Sequence, residues 1–267
     1  MGWLYTSPLR AISRYNSGPA AKPASAIPRD LAVYAVLFDI DGTLLHTGGA
    51  GQLAFAETFA AEFGVRELSG RVPFAGRSDR AIAFELMRVH GVEPTEANWE
   101  RFRTAYLAQL PSALERRQGA VLPGVVGLLD ELRRHDHPLI GLLTGNLRDG
   151  AMQKLTYYGL VERFGFGGFG DVSDDRCHIA AAALAEAESA AAGRNGRTNG
   201  HRLSGAMVIG DTVHDITCAR SINAFAVAVP TGNTPREELA AAKPDLLLDD
   251  LSDPRAMLDV ILSAKAA

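Results

Sequence analysis

Val36-Leu37-Phe38-Asp39-Ile40-Asp41-Gly42-Thr43-Leu44 reads as an apolar strand that ends in charge: two aspartates one residue apart, closed by Gly-Thr. Inside a fold two such carboxylates repel, and without a cation or hydrogen-bond donors one of them would take up a proton. A hard divalent ion resolves the conflict, and oxygen ligands beside a substrate phosphate suit Mg²⁺. The same Asp-x-Asp spacing opens an EF-hand loop. Gly42 and Thr43 stand where that loop needs other residues, however, and a buried strand precedes them.

Outward from this stretch, short apolar runs alternate with helical patterns, the signature of an α/β fold with a doubly wound, Rossmann-like parallel sheet. The strand candidates are Ala32 to Phe38, Pro138 to Leu143, Ala206 to Ile209, Ala224 to Val229 and Asp245 to Leu248, with a weaker Gly-rich one near Phe164 to Phe169. Several are continuously apolar, as strands covered on both faces are. They end at Asp39, Thr144, Gly210-Asp211, Thr231-Gly232 and Asp249-Asp250, and ligands of such sheets sit beyond the carboxyl ends of the strands.

The alternation stops over residues 47–121, where three helical stretches follow one another without a strand. Phe55, Phe59 and Phe63 form one stripe that stops at Gly64, while Ser78 and Thr95 are placed to cap the next two helices. The stripe reads as core packing. This predicts a helical insertion, a cap, within a catalytic core made of residues 31–46 and 122–267.

Composition narrows the function classes. With 27 basic and 31 acidic residues the net charge is −4, so neither a nucleic-acid backbone nor an anionic membrane is the expected partner. No apolar run approaches the length that spans a bilayer. Two cysteines among 267 residues make no disulfide framework and favour a reducing, cytoplasmic location. Residues 1–30 read as a flexible leader, and residues 192–205, rich in Gly, Asn and Arg, as an exposed flexible loop of the core.

A second acidic pair lies in Gly210-Asp211-Thr212-Val213-His214-Asp215, with Asp211 at a strand end and Asp215 in the first turn of a helix, where both can face one edge. Leu143-Thr144-Gly145-Asn146 supplies a hydroxyl and backbone donors at a third strand end, with Asn146 placed to cap the following helix as an anion site. Arg77 precedes an insertion helix and can reach a substrate's own negative group. Lys154 is expected on the surface of the helix after Thr144. Gly165 to Gly170 match G-x-G-x-x-G, but without a buried strand before them or an acid at a strand end after them they do not argue for a dinucleotide. His214 and Cys218 share i,i+4 spacing without further soft ligands, and the remaining histidines show no catalytic grouping.

These motifs resemble the haloacid dehalogenase-like hydrolases, in particular their phosphoglycolate phosphatase-like branch with a helical cap, over about Val33 to Leu248. The first motif is Asp39 to Thr43, the second Thr144, the fourth Gly210 to Asp215. The third departs: the family usually has a lysine there, and this chain offers Arg176, with Lys154 as a possible substitute. The resemblance implies that Asp39 attacks phosphorus and that Asp41 protonates the leaving oxygen and then activates water. Mg²⁺ would be held by Asp39, the backbone carbonyl of Asp41 and Asp211, with Asp215 orienting the cation or its water. Thr144, Gly42, Thr43, Gly145, Asn146 and Arg176 would receive the phosphoryl oxygens. Dehalogenases lack the second aspartate, so Asp41 points to phosphoryl transfer. The implied substrate is a small phosphorylated metabolite such as phosphoglycolate. A phosphomutase similar to β-phosphoglucomutase would use the same aspartates. A noncatalytic binding protein on this scaffold would be expected to lose Asp39 or Asp41.

Overall fold

Residues Ala32–Phe38 (β1) make the central strand because both of its faces are apolar: Val36 and Phe38 pack on one side, Ala35 and Leu37 on the other. The computed structural model describes residues 32–136, 138–171, 173–193 and 202–263. The leader, residues 1–30, lies outside them. After β1 come Leu45–His46 (β2), Ala50–Phe63 (α1), Asp79–Val89 (α2), Glu96–Arg116 (α3), Ala120–Val121 (β3) and Val125–Arg133 (α4). There follow Pro138–Leu143 (β4), Arg148–Tyr157 (α5), Gly167–Gly168 (β5), Arg176–Gly193 (α6), Arg202–Gly210 (β6) and Val213–Ser221 (α7). Phe225–Ala228 (β7), Arg236–Ala241 (α8), Leu246–Leu247 (β8) and Arg255–Ser263 (α9) complete the order.

Six strands form one parallel sheet in the order β5-β4-β1-β6-β7-β8. Leu128, Leu129, Leu155, Met257 and Ile261, from α4, α5 and α9, cover one face. Ile179, Ala183, Ile216, Ala219 and Leu239, from α6, α7 and α8, cover the other. The register sets Phe38 beside Leu142 on one flank and Ile209 on the other, so Asp39, Thr144 and Asp211 emerge at neighbouring strand ends. No described helix is long and apolar enough to cross a membrane.

The helices α1 to α3 leave and rejoin the core through a two-stranded antiparallel ribbon, Leu45 against Val121 and His46 against Ala120. They carry their own core, in which Phe55, Phe102 and Tyr106 meet at centroid distances of 4.8 to 5.6 Å. Gly64, at φ 70°, closes α1, and the hydroxyls of Ser78 and Thr95 cap α2 and α3.

Two expectations change. The soft stretch 192–205 is not one loop: α6 runs to Gly193 and β6 begins at Arg202, because Arg202 and Leu203 pair with Ala32 and Val33; residues 194–201 lie outside the description. Asp249 and Asp250 follow the edge strand β8, far along the sheet from β1. Asp249 pairs with Arg236 at the surface instead of joining the other acids.

Candidate active site

Asp39 continues the ladder beyond β1, its N–H donating to the Ile209 carbonyl at 3.0 Å, and the residue is 6% exposed. Asp211, beyond β6, lies between two close backbone approaches: a Cβ on Gly42 would stand 2.5 Å from its Oδ2, and one on Gly232 only 1.7 Å. Gly42 also turns the chain at φ +87°, a conformation that favours glycine. Carboxylate oxygens of Asp39, Asp211 and Asp215, all three buried, lie within 4.8 Å of one another.

Burial raises the proton affinity of Asp39 and Asp211, and repulsion from neighbouring carboxylates adds to it. Asp39 is pushed up to about 7 by burial and by Asp215, against the opposing pull of Arg176. Asp211 is pushed up to about 9 by burial and by Asp215 and Asp39. The donors are all oxygens, and the repulsion is what a bound dication would relieve, so the set suits a hard divalent ion.

Asp215 spends both oxygens. Its Oδ2 accepts from the Thr212 N–H at 3.1 Å and from the Thr212 hydroxyl at 2.6 Å, in a capping box at the start of α7. Its Oδ1 pairs with Arg176 Nη2. Arg176 Nη1 lies 3.7 Å from Asp39 Oδ1. Burial alone would lower the pKa of this guanidinium, but the Asp215 and Asp39 carboxylates outweigh it and hold it charged. Arg176 Nε is buried without a hydrogen-bond partner.

Asp41 has a different cation. Lys154 is buried, 3% exposed, and not on the outer face of its helix. Its Nζ reaches Asp41 Oδ2 at 2.6 Å and Asn146 Oδ1 at 2.5 Å. The surface expectation for Lys154 fails because α3 packs on α5, with Leu107, Leu110 and Tyr106 over Gly150, and the start of α1 comes over the ammonium, where a Cβ on Gly51 would meet Nζ at 3.7 Å.

Asn146 is not the cap of α5 either. Its amide donates to Asp41 Oδ2 and to Thr144 Oγ1, both at 2.8 Å, and Leu147 is the cap residue. The first N–H groups of α5 are met by carboxylates from elsewhere, Leu147 by Asp79 Oδ2 at 2.9 Å and Arg148 by Asp171 Oδ2 at 2.5 Å. That helix end is already occupied. Asp79 is pushed up to about 6, chiefly by its burial.

Asp79 belongs to the insertion, and its contact is one of several that press α2 onto the core. Its N–H donates to the Gly145 carbonyl at 2.8 Å, and a Cβ on Gly145 would collide with the Arg77 carbonyl at 2.2 Å. Arg77 borders the cavity, but its guanidinium pairs with Glu85 at 2.6 Å. Between insertion and strand ends lies a cavity of about 380 Å³. Asp39, Asp41, Gly42, Thr144, Gly145, Asn146, Arg176 and Asp211 line its floor; Phe55, Phe74, Ile82 and Tyr106 line its roof. Thr43 and Asp215 stand just behind, Thr43 donating to Asp211 Oδ1 at 3.4 Å.

Sequence reasoning missed Asp79 and His46. Asp79 reads as an ordinary first-turn acid. His46 lines the cavity and meets the Thr231 carbonyl at 2.8 Å; its position just after the first motif was the available signal. Three glycines of the stretch from Gly165 to Gly170, namely Gly167, Gly168 and Gly170, serve packing: a Cβ on Gly168 would meet the Ile179 carbonyl at 2.4 Å, and one on Gly170 the Gly145 carbonyl at 2.1 Å.

A model of the haloacid dehalogenase-like hydrolases matches residues 36–220. Two relatives named phosphoglycolate phosphatase are similar over most of their length. That of Synechococcus elongatus is 29% identical, covering 82% of this chain and 94% of its own. That of Agrobacterium fabrum is 26% identical, covering 86% and 95%. Among solved structures, CbbY from Rhodobacter sphaeroides in complex with phosphate shares the fold, with a TM-score of 0.64 and 19% identity over 83% of this chain and 96% of that one.

Proposed function

The chain belongs to the haloacid dehalogenase-like hydrolases, as a hydrolase of phosphoric monoesters, and from that premise we propose that it cleaves a small phosphomonoester through an aspartyl-phosphate on Asp39 with the help of Mg²⁺. The observation that carries this reading is the buried meeting of Asp39, Asp211 and Asp215 beside Asp41, at the floor of the cavity under the insertion. Asp39, the carbonyl of Asp41 and Asp211 would hold the ion, with Asp215 orienting the cation or its water, and the ion when bound would screen the repulsion between carboxylate and phosphoryl group.

Asp39 then forms a bond to phosphorus as the ester oxygen leaves, and Asp41 gives that oxygen a proton. In the second half Asp41 takes a proton from the water that attacks phosphorus, and the bond to Asp39 breaks. The Gly145 N–H, the Thr144 hydroxyl and Arg176 would hold the phosphoryl oxygens, where charge has to be stabilised, whereas the Gly42 and Thr43 N–H groups donate to the Leu45 and Ile40 carbonyls and the Asn146 amide to Asp41 and Thr144. The helices over residues 47–121 would act as a cap that excludes water from the ester.

Phosphoglycolate is the candidate substrate, on the strength of the two relatives' names. Its carboxylate would have to draw Arg77 away from Glu85. A cytoplasmic site of action fits the two free thiols, Cys177 and Cys218.

The test is release of inorganic phosphate from a panel of phosphorylated metabolites, with and without Mg²⁺, for the parent and for Asp39→Asn. The parent is expected to need the cation and the variant to lose at least about 10³-fold in kcat, as loss of a nucleophile does. Near-native activity of Asp39→Asn would overturn the nucleophile. A phosphoglycolate rate no better than that of a sugar phosphate would remove the substrate.

A further inference from the structure

Lys154 has no task in the chemistry above. An ammonium this buried has given up water and side-chain freedom, so its two acceptors, Asp41 Oδ2 at 2.6 Å and Asn146 Oδ1 at 2.5 Å, indicate its role. Asn146 Nδ2 donates to the same Asp41 oxygen at 2.8 Å. Both donors therefore converge on Oδ2, and among the described residues no hydrogen bond reaches Oδ1. The Asp41 side chain is 41% exposed where it borders the cavity.

We propose that Lys154 is the positioning residue of Asp41, fixing through Asn146 and its own ammonium which carboxyl oxygen exchanges the proton. The inference rests on the reading of Asp41 as acid and base. An oxygen that accepts from an ammonium and an amide can keep both bonds as a carboxylate oxygen or as the carbonyl oxygen of a protonated carboxyl. A proton on that oxygen would point at those donors. The proton thus resides on Oδ1, on the cavity side.

In the first half-reaction Asp39 bonds to phosphorus, the phosphorus–oxygen bond of the ester breaks with its electron pair on the alkoxide, and the Oδ1 proton moves to that alkoxide. In the second, water oxygen bonds to phosphorus, its proton moves to Oδ1, and the bond to Asp39 breaks. Oδ2 keeps its two donors throughout. The two buried cations divide the work, Arg176 on Asp39 and Asp215, Lys154 on Asp41.

The leaving group separates this role from simple phosphate binding. p-Nitrophenolate departs without a proton, whereas an alkoxide needs one. Parent, Lys154→Met and Lys154→Arg are compared with Mg²⁺ on glycerol 3-phosphate and on p-nitrophenyl phosphate, with first-turnover kinetics for the latter. Lys154→Met is expected to lose about 100-fold in kcat on the alkyl ester, within the usual worth of general acid catalysis. Its first-turnover burst of nitrophenolate should stay within about threefold of the parent, KM for both esters should change little, and Lys154→Arg should recover most of the loss.

Equal losses on both esters, with weaker inhibition by inorganic phosphate, would make Lys154 a phosphoryl ligand and overturn the proposal. So would an unchanged rate on the alkyl ester. If Lys154→Met gives no cooperative melt, Lys154→Gln is read by the same ratio of esters. A parent inactive on both esters with Mg²⁺ would instead refute the phosphatase reading itself.

Discussion

At the scale of residues, the site is a problem of charge. Asp39 and Asp211 bind protons more tightly in the fold than in an open chain, since burial and mutual repulsion lift them from 3.8 to about 7 and about 9. Between those limits the cation-free folded state holds more protons than the unfolded one, so its stability must fall as pH rises from about 4 to about 9. A dication that replaces those protons should reverse the trend. Melting temperatures in chelator are therefore expected to decline over this range, and Mg²⁺ to raise them more at alkaline than at acidic pH. At a free concentration about 100 times Kd the gain would be about 2.7 kcal/mol. Melting temperatures that hold level or climb with pH in chelator would contradict the clustering. Gly42→Ala probes the same place sterically: its φ of +87° and the collision with Asp211 at 2.5 Å cost at least about 1–2 kcal/mol. Titration of activity against Mg²⁺ should show a higher requirement, and an unaltered requirement would show that Asp211 tolerates displacement.

At the scale of elements, what matters is where the ends of helices are satisfied. The N-terminus of α5 is closed by Asp79, from 68 residues earlier, so α2 and α5 are tied through one carboxylate. Asp79→Ala leaves the Leu147 N–H without its partner and is expected to cost about 1–2 kcal/mol in urea denaturation. Asp79→Asn, which still offers an oxygen, should cost less, and equal costs for the two would mean that the hydrogen bond is not the cause. These same contacts mark the limit of legibility. Asp39 and Asp211 stood out because a charge at the end of an apolar strand needs a reason that lies within the strand itself. The roles of Lys154 and Asn146 were not legible, because they depend on the start of α1 coming over the Lys154 ammonium and on Asp79 meeting the helix end that Asn146 was placed to cap. A lysine on a helix and an asparagine before one have local explanations that fit equally well, and only the long-range packing decides. The ribbon of β2 and β3 escaped notice for a similar reason: two residues on each side carry no period.

At the scale of the molecule, the strands of the sheet were readable because both faces are covered, which makes Val36 to Phe38 and Leu139 to Leu143 unbroken apolar runs. The insertion was readable because its aromatic stripe builds a core of its own. Two cores joined by a short ribbon suggest two cooperative units, and the chain geometry allows a direct test. A Cβ on Gly48 would touch the Gln118 carbonyl at 2.4 Å, so the insertion leaves and returns at nearly one point, and joining those ends costs little loop entropy. A chain in which residues 49–117 give way to a short glycine turn is expected to keep the six-stranded sheet and melt in one transition. It should be less stable than the parent, because Leu147 and the face of α5 beneath Tyr106 and Leu107 lose their cover. The strand-end carboxylates would remain, but the roof of Phe55, Phe74, Ile82 and Tyr106 would be gone. Hydrolysis of p-nitrophenyl phosphate should therefore survive in part, while selectivity among metabolite esters, read as the spread of kcat/KM across a panel, should collapse toward one value. A shortened chain that keeps the parent's selectivity would locate specificity in the sheet, and one that shows no cooperative melt would mean the two cores fold only together.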